Sequence, residues 1–224
     1  MITIRDLDFQ YGRGDFSLAI PELEIESGSA VAVIGPSGSG KTTFLNLLSG
    51  IALPLSGRIS VNETELSQLS DKARRQFRIT NIGFVFQDFG LIEYLSVLDN
   101  ILHPYRLNPV LRLSQEVRER AGELAREMGI GGKLANLPGE LSHGEKQRAA
   151  ICRAMVTSPR LMLADEPTGN LDPKVKTHVV DLLLGYVREH GATLVMVTHD
   201  HSLIGGFDRV IDFEKFYAGD RDAE

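Results

Sequence analysis

Gly35-Pro36-Ser37-Gly38-Ser39-Gly40-Lys41-Thr42 fits the spacing G-x-x-x-x-G-K-[ST], and its chemistry is that of holding a phosphate chain. Glycines let the backbone curl so that successive N–H groups point inward at anionic oxygens. The loop then enters a helix, whose N-terminus favours negative charge. Lys41 reaches the β- and γ-phosphates as a mobile point charge. Thr42 is placed to offer its hydroxyl to Mg²⁺, and Thr43 follows on the same helix. A second cluster lies far along the chain, where the apolar run Leu161-Met162-Leu163-Ala164 ends in Asp165-Glu166. In isolation such a pair before Pro167 is a common acidic turn. Beside Lys41 it becomes a second half of the same chemistry, with Asp165 in the Mg²⁺ shell and Glu166 as general base for an attacking water.

Both clusters need strands to position them. Ala30-Val31-Ala32-Val33-Ile34 is fully apolar and runs into the Gly-rich turn, which reads as a buried strand. Residues 82–86, 161–164 and 193–197 read the same way, and Phe44, Leu45, Leu47 and Leu48 fall on a helix after the loop. Strands alternating with helices predict an α/β fold with a mainly parallel sheet, in which ligands gather at the carboxyl ends of the strands. The stretch 88–158 differs, with helical periodicity and no strand. Within it, 113–128 predicts a helix capped by Ser114, with Val117, Ala121, Leu124 and Met128 on one face and Gly129, Gly131 and Gly132 ending it. The expected organisation is a single domain over 1–224, a core of about 1–87 and 159–224 carrying a helical insert at 88–158.

The 224 residues suffice to bury a core without staples. Against 24 Lys and Arg stand 30 Asp and Glu, a net charge of −6 that argues against nucleic acid as the main partner. The one cysteine, Cys152, excludes an internal disulfide framework and reads as a small core residue. No apolar run approaches the length of a spanning helix; 44–55 is broken by Asn46, Ser49, Gly50 and Pro54.

Leu141-Ser142-His143-Gly144-Glu145-Lys146-Gln147-Arg148 precedes another apolar helical stretch. Ser142 and Glu145 form a capping box, and a helix start of this kind also presents N–H groups and a hydroxyl to an anion. The segment resembles the Leu-Ser-Gly-Gly-Gln signature of ABC-transporter ATPases. The family's other motifs follow in order over about 1–212: Tyr11 in the place of an adenine-stacking aromatic, Gln87 in that of the Q-loop glutamine, Asn170-Leu171-Asp172 in that of the D-loop, and His199 in that of the switch histidine. The run from Glu166 to Asp172 is similar to the subgroup of lipoprotein-releasing, macrolide-exporting and cell-division ATPases.

The resemblance implies a P-loop NTPase core with an N-terminal antiparallel β region and a helical subdomain, ATP and Mg²⁺ as ligands, and hydrolysis coupled to transport. It further implies a head-to-tail dimer. Each site joins Tyr11, Lys41, Thr42, Gln87, Asp165, Glu166 and His199 of one copy to Ser142 and Gly144 of the other, with Asp172 beside the nucleotide and Gln87 serving both the metal and catalysis. An integral membrane permease is the implied partner, gripped in a groove by the helical insert and the segment around 89–94. The implied location is cytoplasmic, on the inner face of the cell membrane. Two departures stand out. His143 occupies a position where the family has glycine, and Glu145 one where it has glutamine. A soluble ABC-type ATPase acting on nucleic acid or ribosomes would carry two cassettes, coiled coils or zinc modules. A small-molecule kinase would leave Ser142, Gly144 and His199 without a use.

Overall fold

The computed structural model describes residues 1–12, 16–169, 171 and 173–216, and of Lys174 the backbone alone. In chain order the elements are β1 (Ile2–Gln10), β2 (Ser17–Ile25), β3 (Ala30–Ile34), α1 (Lys41–Leu48), β4 (Ser56–Val61), β5 (Thr64–Glu65), α2 (Asp71–Asn81) and β6 (Ile82–Val85). There follow α3 (Val97–Ile101), α4 (Pro104–Leu107), α5 (Gln115–Glu127), α6 (His143–Met155), β7 (Leu161–Asp165), α7 (Pro173–His190), β8 (Thr193–Val197) and β9 (Arg209–Asp212). Between β6 and β7 the described residues form helices and turns only.

Two sheets result. One is antiparallel, in the order β2-β1-β4-β5; the other is parallel, in the order β6-β7-β8-β3-β9. The inner parallel strands β3, β7 and β8 are apolar at successive positions because both faces are covered. Val31, Val33, Leu161, Leu163, Val195 and Val197 face one core, shared with α1 and the antiparallel sheet. Ala30, Met162, Ala164, Leu194 and Met196 face the other, shared with α5, α6 and α7. Cys152 is fully buried there, and burial pushes its thiol up to about 12.

Local chemistry sets the element ends. Ser114 accepts from the Val117 N–H and starts α5, and Gly129 ends it with a left-handed φ of 68°. Gly131 and Gly132 instead fall in a short 3₁₀ turn. β6 stops one residue earlier than its apolar run, because Phe86 leaves the ladder and stacks on Phe84 with ring centroids 4.2 Å apart. β7 continues one residue further than its apolar run and includes Asp165.

β6 lies close to the end of α6 at Gly83. A Cβ there would meet the Ala154 carbonyl oxygen at 2.3 Å, Met162 Sδ at 2.6 Å and Pro159 Cγ at 2.8 Å. Backbone cannot yield as a side-chain tip can, so Gly83→Ala is expected to destabilise the chain by about 1–3 kcal/mol. The urea midpoint should fall with an unchanged slope; an unaltered midpoint would show that β6 and α6 are free to separate.

Candidate functional site

Four adjacent parallel strands, β6, β7, β8 and β3, end on the same edge of the sheet. The segments that follow them carry Gln87, Asp165-Glu166, His199 and the phosphate loop. Topology alone thus gathers groups separated by more than a hundred residues, at the edge where α/β proteins place ligands.

The phosphate loop occupies residues 35–40 between β3 and α1. Gly35, Gly38 and Gly40 have φ of 154°, 81° and 93°, values that a side chain resists. A Cβ on Gly40 would also strike Phe16 Cζ at 2.6 Å. Ser39 N–H donates to the Pro36 carbonyl at 3.3 Å, while the buried Ser39 hydroxyl has no partner. Lys41 Nζ donates to the carbonyls of Gly35 at 2.8 Å and Pro36 at 2.7 Å, which arches the loop over its own lysine. Burial lowers the Lys41 pKa, and the negative charges of Glu166 and Asp165 oppose that. Ser37 is exposed on the loop, Thr42 is exposed on α1 and Thr43 is buried, its hydroxyl 3.5 Å from that of Tyr11.

Asp165 is 5% exposed, and its Oδ1 finds no hydrogen-bond partner. Burial raises its pKa; the neighbouring Thr42 hydroxyl pulls it down. A buried, half-unsatisfied carboxylate beside a hydroxyl is a donor set that suits a hard divalent cation, which takes few protein oxygens and leaves the rest to water and phosphate. Glu166 has φ of 43°, a strained value for a residue with a side chain. Its N–H donates to the Val197 carbonyl at 3.0 Å, and its own carbonyl accepts from Gly169 N–H at 3.0 Å. His199 Nδ1 lies 2.8 Å from Glu166 Oε2, so the ring donates to the carboxylate and orients it. Glu166, His199 and Gln87 line one cleft of about 330 Å³, together with Thr168, Lys176 and Asp200.

Tyr11 is 51% exposed and stands edge-on to Phe9, with centroids 4.7 Å apart, and tilted to Phe16 at 5.9 Å. It therefore presents an aromatic surface near Thr43 and the start of α1. Ser142 and Gly144 lie elsewhere. Ser142 Oγ accepts from Glu145 N–H at 3.3 Å, and Glu145 Oε2 accepts from Ser142 N–H at 2.8 Å and from its hydroxyl at 2.9 Å. Those bonds hold the Glu145 pKa down; a glutamate at this position thus completes the capping box, as a glutamine also would. Gly144 sits 3.6 Å, by an added Cβ, from Val175 on α7. Neither Ser142 nor Gly144 lines the cleft of Glu166 and His199. Asp172 lies outside the described residues.

Two contributors left no trace in sequence spacing. Phe16 backs the phosphate loop at Gly40. Lys176 lines the Glu166 cleft and pairs with Asp200 at 3.1 Å, and the Asp200 carboxyl, accepting from Ser202 and Lys176, is held down to about 2.

A Gly-rich loop between an inner strand of a parallel sheet and the helix that follows, with an acidic strand end on the same sheet edge, defines a P-loop nucleoside triphosphatase. The ABC transporter family matches residues 18–169. A macrolide export ATP-binding/permease protein, MacB, of Rhodopirellula baltica is 41% identical over 94% of this chain, which spans 31% of that longer protein. The ABC transporter ATP-binding protein YbbA of Escherichia coli K12 is 40% identical over 94% of the chain and 93% of its own length. The lipoprotein-releasing system ATP-binding protein LolD of Chromohalobacter salexigens is 41% identical over 87% of the chain and 81% of its own length. Among solved structures, a dimeric post-hydrolysis state of the ATP-binding cassette MJ0796 bound to ADP and Pi superposes with a TM-score of 0.86 at 33% identity, over 96% of this chain and 95% of that one. The chain belongs to the ABC transporter family, as an ATP-binding and ATP-hydrolysing member.

Proposed function

We propose that two copies of this chain close head to tail around two ATP molecules and power a membrane transport or mechanotransmission complex of the lipoprotein-release or macrolide-export type. The observation that carries this reading is the division of the site within one chain. Gln87, Glu166 and His199 share a cleft beside the phosphate loop, whereas the Ser142 start of α6 lines none of it. A second copy, related by a two-fold axis, completes both sites with one kind of surface. The dimeric state of the MJ0796 relative supports the same arrangement.

In each site Tyr11 stacks on adenine, and the N–H groups of residues 35–40 with Lys41 hold the phosphates. Thr42, Asp165 and Gln87 are the residues that would hold Mg²⁺. The metal, when bound, neutralises charge on the β- and γ-phosphate oxygens. Glu166, oriented by His199, takes a proton from the attacking water, and Ser142 and Gly144 of the other copy hold the γ-phosphate. Loss of that phosphate removes the bridge between the copies, and they part. Catalysis is positioning and charge stabilisation.

Membrane attachment is supported by a groove of about 450 Å³. Ile79, Phe84, Phe86 and Leu107 give it an apolar lining and Lys72 and Arg75 a basic rim. The groove lies between α2 on one side and α4 with the end of α6 on the other, so the segment 89–94 does not line it. Among the described residues no helix is long and apolar enough to cross a membrane; the groove would dock the chain on the inner face through a permease subunit. Detergent extraction followed by affinity capture of the chain is expected to recover a polytopic membrane protein. Recovery of soluble partners alone, or of nucleic acid, would overturn the reading.

A further inference from the structure

His143 is the first residue of α6, set between Ser142 and Gly144, and its side chain is exposed. Its ring meets that of Phe89 edge to face, with centroids 5.9 Å apart and planes at 71°. Phe89 follows Gln87 by two residues in the turn after β6. That turn is tight: Phe89 N–H donates to the Phe86 carbonyl at 3.2 Å and Gly90 N–H to the Asp88 carbonyl at 2.7 Å. Phe89 also holds a left-handed φ of 63°, which a residue with a side chain keeps only where its surroundings impose it.

The turn is held by two residues of α6. Arg153 donates from Nη2 to the Phe89 carbonyl at 2.6 Å and from Nη1 to the Gly90 carbonyl. Arg153 also lines the groove beside α2. The ring of His143, at the start of the same helix, rests against that of Phe89. A glycine at 143 would make no such contact. The residue thus touches the turn that carries a group of the hydrolytic cleft while standing in the segment assigned to the dimer seam.

We propose that His143 is a positioning residue: through the Phe89 ring it fixes the turn bearing Gln87 relative to the start of α6, so that seam closure and the hydrolytic cleft of one chain move together. This rests on the assignment of Ser142 to the seam and of Gln87 to the cleft. The contact requires an aromatic ring and not a charge, because edge-to-face pairs draw on the ring quadrupole. If His143 instead served as a hydrogen-bond donor to the partner copy's nucleotide, an amide side chain would replace it better than a phenyl ring.

Steady-state ATP hydrolysis by the full chain separates these outcomes. His143→Phe is expected to keep kcat within about twofold of the parent. His143→Gln and Phe89→Leu are each expected to lower kcat about fivefold, equivalent to about 1 kcal/mol at 1.36 kcal/mol per decade, with KM for ATP within about twofold. The double variant should lose no more than either single one, since both remove one contact. A His143→Phe variant as slow as His143→Gln, a His143→Gln variant as fast as the parent, or losses that multiply would overturn the proposal. So would a fall in thermal midpoint that tracks the loss of kcat. Lys41→Ala and Glu166→Gln measured alongside report on the underlying reading: if Lys41→Ala is inactive and Glu166→Gln forms an ATP-held dimer, that reading stands whatever His143 does.

Discussion

Glu166→Gln is expected to bind ATP with nearly parental affinity, to hydrolyse it about 10²–10⁴-fold more slowly, and to accumulate as an ATP-held dimer. The variant is close to isosteric, so the backbone of Glu166, with its φ of 43° and its bond to the Val197 carbonyl, has no reason to move. The amide oxygen still accepts from His199 Nδ1, which now lies 2.8 Å from the carboxylate. What disappears is the capacity to take a proton from water. In the proposed head-to-tail arrangement the γ-phosphate bridges the copies, so abolishing its removal should convert a transient dimer into a stable one. Hydrolysis followed by phosphate release, and size-exclusion chromatography with Mg-ATP, check the two parts. A parental rate in a variant that stays monomeric with ATP would remove Glu166 from the role of base.

Lys41→Ala acts on binding as well as on turnover. The ammonium is held by the Gly35 and Pro36 carbonyls and stands within the field of Asp165 and Glu166. Its removal leaves two carbonyls without a donor and a 5%-exposed Asp165 without its countercharge. Hydrogen bonds to charged groups contribute about 1.5–3 kcal/mol, so ATP affinity should weaken about 10- to 100-fold, by titration with a fluorescent analogue. Loss of a donor to the developing charge costs a further 10²–10³ or so in rate, which places turnover below detection. Unchanged affinity together with unchanged turnover would contradict the assignment of the loop.

The helix starts and the buried parallel strands were legible because their signals are local. Ser114 and the Ser142–Glu145 pair cap the helices their spacing predicts, and both reciprocal bonds of the latter form. The antiparallel strands could not be placed residue by residue for an equally local reason. In β1 the buried residues are Ile2, Ile4, Leu7 and Phe9, so the period of two slips by one. The slip coincides with Asp6 at φ 49° and with a shift in the β1–β4 register between Arg5 and Asp8. Gly57 on β4 faces this irregularity, where a Cβ would lie 2.3 Å from the Asp6 carbonyl oxygen. In β2 the buried set Leu18, Ile20, Leu23, Ile25 slips in the same way at Pro21-Glu22. A bulge reverses which face each later side chain takes, and alternation read along the chain then loses phase.

The sequence by itself determined the phosphate chemistry of residues 35–42, the acidic end of β7, the capped start of α6 and the family they belong to, because each is written in neighbouring residues whose backbone needs are self-contained. That Gln87, Glu166 and His199 serve one site was already implied by the family resemblance; tertiary structure alone decided that Lys176 lines their cleft, that Phe16 backs the phosphate loop at Gly40, and that a groove opens between α2 and α6. Those are matters of strand order, and β6-β7-β8-β3 becomes an order only when segments far apart in the chain pair through hydrogen bonds and bury both faces of one sheet.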